Sequence, residues 1–298
     1  MEKKLLLVYN PISGKGHIKS HISDIIDIYS AKDFSITVHP TKCANDGYEY
    51  IKEHATEYDV ISVCGGDGML NETVNALMNV PAEQRPTIAY LPSGSTNDFA
   101  GTVGLPSDVK LAAQMVMEGS PFFCDTGLMN DKYFAYVAAF GLFTSVSYDT
   151  SQDYKNLFGR LAYILGGIRQ LTSIKEYHMK ISFDDIVIED DFIFGMVTNS
   201  LQVGGIKNNI FSTAVSLNDG LFEVLLVKKP KNASGYQGIV SAFLTQNIEK
   251  SEDIISFKVS SIKFETDAEI PWTVDGEFGG NTACADIKLL PKGFSVLV

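Results

Sequence analysis

Apolar residues fall along the first 125 positions in short runs, each followed by a stretch with apolar places every third or fourth residue. The runs at 5–9, 34–38, 60–63 and 87–91 predict strands, and the stretches at 18–29, 47–55, 70–78 and 109–118 predict helices. Continuously apolar strands that alternate with helices belong to a parallel sheet covered on both faces. After Cys124 the texture changes. Aromatic and β-branched runs at 133–139, 178–183, 191–199, 221–227, 256–265 and 287–290, set apart by turn residues, predict an antiparallel sheet or sandwich. A helical stretch at about 157–174 interrupts it, and 236–245 predicts a second helix. The change of texture divides the chain into 1–127 and 128–298.

Composition narrows the class. With 298 residues, 45% of them hydrophobic, the chain is long enough for a large core and unlike a disordered one. Its net charge of −12 excludes nucleic acid as the main partner, because a phosphate backbone needs a basic footprint. Cys43, Cys64, Cys124 and Cys284 have no metal-binding or disulfide spacing, which points to a reducing, cytoplasmic compartment. The apolar opening is too short for a secretory leader and ends at Asn10-Pro11, so it reads as a first buried strand. No run approaches the ~18 apolar residues that span a bilayer, so any membrane contact is expected to be peripheral.

Three turns at the ends of predicted strands carry candidate chemistry. Gly65-Gly66-Asp67-Gly68 follows the third strand and precedes Asn71-Glu72. Glycines there let backbone N–H groups approach phosphate oxygens that a Cβ would hold away. Asp67 repels phosphate, so it reads as a partner for a metal, a metal-bound water or a hydroxyl. Asn10-Pro11-Ile12-Ser13-Gly14-Lys15-Gly16 follows the first strand and is not a Walker loop. Pro92-Ser93-Gly94-Ser95-Thr96-Asn97-Asp98 follows the fourth, where Asn97-Asp98 also suits a helix cap. Each alone is also an ordinary turn. Together they line the carboxyl edge of one sheet, where open α/β sheets bind ligands.

Together these segments resemble the diacylglycerol kinase catalytic family, in its soluble bacterial branch, to which sphingosine and ceramide kinases are related. The resemblance continues through Asp125-Thr126-Gly127, Gly159-x-Leu161-Ala162-Tyr163, Asp219-Gly220-Leu221-Phe222 and Asp275-Gly276-Glu277. It implies an α/β plus β fold: an N-terminal Rossmann-like parallel α/β nucleotide-binding domain and a C-terminal antiparallel β-sandwich-like domain that takes lipid. The implied reaction is ATP- and Mg²⁺-dependent phosphorylation of a membrane lipid hydroxyl, most naturally diacylglycerol to phosphatidic acid. By position, Asn10, Pro11, Ile12, Ser13, Gly14, Thr41, Gly65, Gly66, Asp67, Gly68, Met69, Asn71, Glu72, Ser95, Asn97 and Asp98 surround the nucleotide. Asp67, Asp98 and Asp125 fall in the acidic network around magnesium and phosphates. Asp275 and Glu277 fall in the catalytic base region, with Glu277 as proton acceptor. Asp219 is implied to hold a structural magnesium with carbonyls near Ser216 and Leu221.

Two positions depart from the family pattern. Met69 stands where threonine is usual and removes a hydroxyl; Ser95 replaces a threonine and keeps one. Between Lys155 and Lys180 five basic residues face one acid, Glu176, and an apolar stripe runs from Leu157 to Ile168. This segment reads equally as a membrane-docking helix and as one packed on the β-domain. Tyr133, Phe134, Tyr136, Phe140 and Phe143 read either as an acyl-chain channel or as core. Two rival functions stay open: a kinase for a soluble acceptor such as NAD, which shares a similar Gly-Gly-Asp-Gly turn, and a non-catalytic nucleotide- or lipid-binding regulator. A homodimer through an exposed edge strand also stays open.

Overall fold

A computed structural model of the chain describes residues 2–142, 174–200, 202–203, 206–207 and 215–298, with side chains outside 14–17 and 206–207. Residues 157–173 of the expected helix, the basic residues Lys155, Arg160 and Arg169, and Phe143 lie outside the described residues. The chain forms two compact units. The first comprises Met1–Thr126, Tyr133–Ala135 and Leu290–Val298; the second comprises Gly127–Lys132 and Tyr136–Leu289. Among the described residues no helix is long and apolar enough to cross a membrane.

In the first unit, strands β1 (Lys3–Tyr9), β2 (Phe34–Pro40), β3 (Val60–Gly65) and β4 (Thr87–Pro92) alternate with helices. The helices are α1 (Ile22–Ser30), α2 (Asp46–His54), α3 (Asp67–Leu77), α4 (Asp98–Val103) and α5 (Val109–Glu118). Parallel pairing gives the order β2-β1-β3-β4. Leu5 to Val8 on β1 and the whole of β3 are buried, as helices on both faces require. The edge strand β2 keeps all of its residues partly or fully exposed. Helix α5 starts where the sequence places it because the Asp108 carboxylate accepts from the N–H groups of Lys110 and Leu111, at 3.0 and 2.9 Å. The expected helix at 18–29 is instead a 3-10 stretch, Ser13–Ser20, followed by α1. Neither piece has a side-chain N-cap, and two glycines sit in the first.

The chain then runs through β5 (Pro121–Met129), β6 (Lys132–Phe134), β7 (Val137–Gly141), β8 (Tyr177–Phe183) and β9 (Ile186–Thr198). A short hairpin follows, β10 (Gln202–Val203) with β11 (Ile206–Lys207). Next come β12 (Phe222–Lys228), α6 (Ala233–Leu244), β13 (Ile254–Val259), β14 (Ser261–Val274) and β15 (Glu277–Leu297). In the second unit β13, β12, β9, β7, β14 and the first part of β15 pair antiparallel in that order. One end of β9 reaches β14 through β8, the other through β7. Phe140, Phe264 and Trp272 fill the interior with ring centroids 5.0–5.8 Å apart. Gly195 is glycine because a Cβ there would run into the Phe140 ring. Phe134, Tyr136 and Phe140 are thus core side chains rather than channel walls.

Long-range pairing alters two expected strands. The run at 133–139 breaks into β6 and β7, and 287–290 is a small part of the 21-residue β15. The last residues of β15 leave the second unit and complete the first sheet, with Val296 beside Ile88 of β4. Ser120 and Val298 then exchange two backbone hydrogen bonds. The sequence reading has the C-terminal residues in the second domain; the return of this strand is a feature of the fold alone.

Candidate active site

The crossover from β1 runs to β2 on one side, and the crossover from β3 runs to β4 on the other. The carboxyl ends of β1 and β3 therefore flank a switch point, where loops diverge and leave a crevice. The loops fasten to one another there. The Asn10 N–H donates to the Cys64 carbonyl at 3.1 Å, and the Ser93 N–H to the Gly65 carbonyl at 2.9 Å. The Ser13 hydroxyl donates to the Ser93 carbonyl at 2.9 Å and lies 2.8 Å from the Ser93 hydroxyl. Gly66 and Gly94 meet backbone to backbone: a Cβ on Gly94 would stand 2.5 Å from the Gly66 Cα. The turn of β3 into α3 and the loop after β4 are thus pressed together over two glycines.

Side-chain amides shape the loop tips. Asn10 Oδ1 accepts from the Ile12 N–H at 3.0 Å and leaves the Ile12 side chain 80% exposed. Asn97, at φ 53°, accepts from the Gly94 N–H and donates to the Gly94 carbonyl, at 2.9 and 3.0 Å, which leaves Ser95 exposed at the tip. Thr41 is tied to β1 by its N–H on the Tyr9 carbonyl at 2.9 Å. Glu72 Oε1 accepts from the Asn45 N–H at 3.2 Å, so α3 holds the loop after β2 as well. Met69 folds beneath Gly65 and is buried, so the side chain that departs from the family pattern stays inside. Gly14 lies within the 3-10 turn Ser13–Ser20.

The acids are held rather than loose. Asp67, the first residue of α3, accepts from the N–H groups of Asp98 and Phe99 at 3.1 and 3.4 Å. These are the first N–H groups of α4, which have no partner inside their own helix. Burial raises the Tyr90 phenol well above its ordinary value, and Asp67, Cys64 and Asp98 push it the same way. Tyr90 is therefore neutral, and the charges of two site acids are felt at one buried point. Burial likewise pushes the Cys64 thiol up to about 12, so Cys64 is no nucleophile at neutral pH. Asp98 and Asp125 are 4% and 2% exposed; Asp125, on β5, accepts from the Lys292 N–H at 2.9 Å. Asp67 and Asp98 offer oxygen donors only, the donor type that a hard cation such as Mg²⁺ takes. Among the described residues no three His, Cys, Asp or Glu side chains gather as a self-sufficient metal site.

Asn75 is absent from the sequence reading. One turn after Asn71 on α3, its Nδ2 donates to the Tyr133 carbonyl at 2.9 Å and its Oδ1 accepts from the Tyr133 N–H at 3.1 Å. The signal was two asparagines at i and i+4 on a half-buried helical face, where asparagine is a poor helix former. Asn71 also donates to the Tyr133 carbonyl, at 3.2 Å.

In the second unit, Asp275 and Gly276 form the β14–β15 turn at φ 48° and 84°, with Val274 paired to Glu277. Asp275 is 2% exposed, and its Oδ1 accepts from the N–H groups of Tyr136 and Val137, both at 3.0 Å. It is the pin of the turn, whereas Glu277 is exposed beside Phe278. Asp219 Oδ1 accepts from the Leu221 N–H and Oδ2 lies 3.2 Å from Lys258 Nζ. The same ammonium is 2.8 Å from Glu223, which is 1% exposed, and Ser216 donates its hydroxyl to Asn218. Asp219 already has a counter-charge in Lys258, so these residues as they stand do not fit the implied structural magnesium.

The sequence matches two families, described as the diacylglycerol kinase catalytic domain over residues 4–129 and the YegS C-terminal NAD kinase beta sandwich-like domain over 138–298. A diacylglycerol kinase of Bacillus subtilis (strain 168) is 33% identical over 93% of this chain and 91% of its own. A crystal structure from Bacillus anthracis str. Sterne aligns with TM-score 0.83 at 31% identity, over 99% of this chain and 95% of that one. Another, of a diacylglycerol kinase from the same strain, gives 0.75 at 28%, over 99% and 96%. Glycine-faced loops, paired acids and a β-sandwich-like partner domain agree with these likenesses over nearly the whole length: the chain belongs to the diacylglycerol kinase catalytic-domain family.

Proposed function

We propose that the chain is an ATP- and Mg²⁺-dependent lipid kinase working from the cytoplasm at the membrane surface, with diacylglycerol as acceptor and phosphatidic acid as product. The observation that carries this reading is the mutual fastening of the loops after β1, β3 and β4 over Gly66 and Gly94. Glycine-faced turns with the exposed Ser95 at a loop tip suit a polyphosphate, whose oxygens can approach a backbone that carries no Cβ. The relatives' own names supply the acceptor class. A bound Mg²⁺ would supply positive charge that offsets the charge developing on the transferred phosphoryl group. Asp67 and Asp98 would hold it, with Asp125 a further acid of the same unit. The acceptor oxygen forms the new bond to the γ-phosphorus as the bond to the β-phosphate oxygen breaks. Glu277 takes the hydroxyl proton, and ADP leaves.

The test is transfer from γ-labelled ATP with Mg²⁺ to diacylglycerol, monoacylglycerol, ceramide, a sphingoid base, a polyprenol and phosphatidylglycerol in mixed micelles. NAD runs as a soluble control, because the second matched family carries NAD kinase in its description. Labelled phosphatidic acid that disappears in Glu277→Gln supports the reading. Labelled NADP would replace the acceptor, and bound ATP without any product would leave a nucleotide-binding regulator.

A further inference from the structure

Two clamps lie close together on one stretch of backbone. Asn75 satisfies both the N–H and the carbonyl of Tyr133, as a neighbouring strand would. Its Nδ2 also lies 2.9 Å from the Asn71 carbonyl and 3.2 Å from Asn71 Oδ1, which orients the second amide on the same target. Only Phe134 and Ala135, both buried, separate this clamp from the next. There the N–H groups of Tyr136 and Val137 hold Asp275 Oδ1, and the Asp275 N–H donates to the Val137 carbonyl at 2.8 Å. Glu277 stands two residues beyond, across a turn that Asp275 pins.

We propose that Asn75 is a positioning residue for Glu277, acting through the backbone of residues 133–137 and the Asp275 turn. The role assigned to Glu277 rests on the kinase reading; the backbone link does not. An amide is required because one side chain must both donate and accept at Tyr133. Aspartate keeps the acceptor and loses the donor, and leucine keeps the volume and loses both. A purely local role for Asn75 would disturb α3, which carries Asp67 and Glu72, and would weaken nucleotide binding. A role exerted through Glu277 lowers turnover and spares it.

The experiment compares wild type, Asn75→Asp, Asn75→Leu, Glu277→Gln and the Asn75→Asp/Glu277→Gln double variant in backbone amide exchange and steady-state kinetics. Asn75→Asp serves if the leucine variant does not fold. Exchange at Tyr136 and Val137 is expected to rise about tenfold or more in Asn75→Asp, with α3 amides unchanged. kcat with diacylglycerol is expected to fall up to ~10²-fold, as small misplacements of reacting groups do, with KM for Mg·ATP within about twofold. In the Glu277→Gln background the second change should cost less than about twofold, since residues acting as a unit are not additive. Unchanged exchange at 136–137 overturns the link. A fall confined to Mg·ATP affinity, or full losses in the double variant, overturns the positioning role. If wild type phosphorylates no lipid, the kinase reading fails, and the exchange data still decide whether Asn75 governs residues 136–137.

Discussion

Gly94→Ala isolates the contact on which the loops after β3 and β4 close. The added methyl would stand 2.5 Å from the Gly66 Cα and 2.8 Å from Asn97 Oδ1, nearly an ångström inside the 3.4 Å of ordinary contact. The first obstacle is backbone, so no side chain can rotate away. The loop after β4 must shift, and its bonds from Ser13 to Ser93 and from Ser93 to Gly65 stretch with it. Overpacking costs about 1–3 kcal/mol and each of the two weakened bonds about 0.5–1 kcal/mol, giving a loss of roughly 2–5 kcal/mol. Urea melts measure that loss, and calorimetric titration with Mg·ATP should show affinity falling at least ~10-fold. Two controls set the scale. In Gly66→Ala the methyl would come no nearer than 3.2 Å to Gly94, a strain of tenths of an ångström, so a cost below ~1 kcal/mol is expected. In Gly104→Ala nothing lies within 4 Å, and only the φ of 78° is penalised, at about 1 kcal/mol. Equal losses in all three, or unaltered nucleotide affinity in Gly94→Ala, would refute the reasoning.

Glu277→Gln should lower kcat by about 10²–10⁴-fold and leave the calorimetric affinity for Mg·ATP unchanged, because Glu277 is exposed on a turn it does not hold. Asp67→Asn replaces a charged acceptor at the start of α4; a loss of ~1 kcal/mol in thermal melts and a larger loss in phosphate transfer are expected. Burial raises the Glu223 carboxyl above its ordinary 4.5, with Lys258 opposing. A carboxyl raised on folding favours the folded state below its unfolded value and loses that contribution as pH rises through the folded one. Stability should therefore decline as pH rises from about 4.5 through that raised value, and Glu223→Gln should flatten the decline in melts across that range. Lys258→Met should steepen it, because the charge that opposes the burial penalty is gone.

The sequence shows most of what is local. Parallel strands buried on both faces read as unbroken apolar runs, so β1, β3 and β4 stand out, and α5 announces itself through Asp108. The turns after β1, β3 and β4 are visible because glycines and hydroxyls follow strand ends. Partnerships between distant residues are not visible. Asp67 reads as a phosphate-site acid, yet it also caps a helix 31 residues away. Asp275 reads as part of a catalytic pair; its two N–H donors lie 138 and 139 residues earlier in the chain. One of those donors, Tyr136, lies in the gap between β6 and β7. Lys258 could not be foreseen beside Asp219, since only the β12–β13 register sets it opposite Glu223.

The return of the C-terminal strand to the first sheet has a consequence for synthesis. Strand β4 ends at Pro92, but its outer neighbour begins only at Leu290. At roughly 5–20 residues per second, a ribosome needs on the order of 10–40 s to make the intervening length. During that time β4, which is buried over nearly its whole length in the finished fold, offers a bare apolar edge to any strand that passes. The first unit is therefore among the first parts of the chain to emerge and among the last to close.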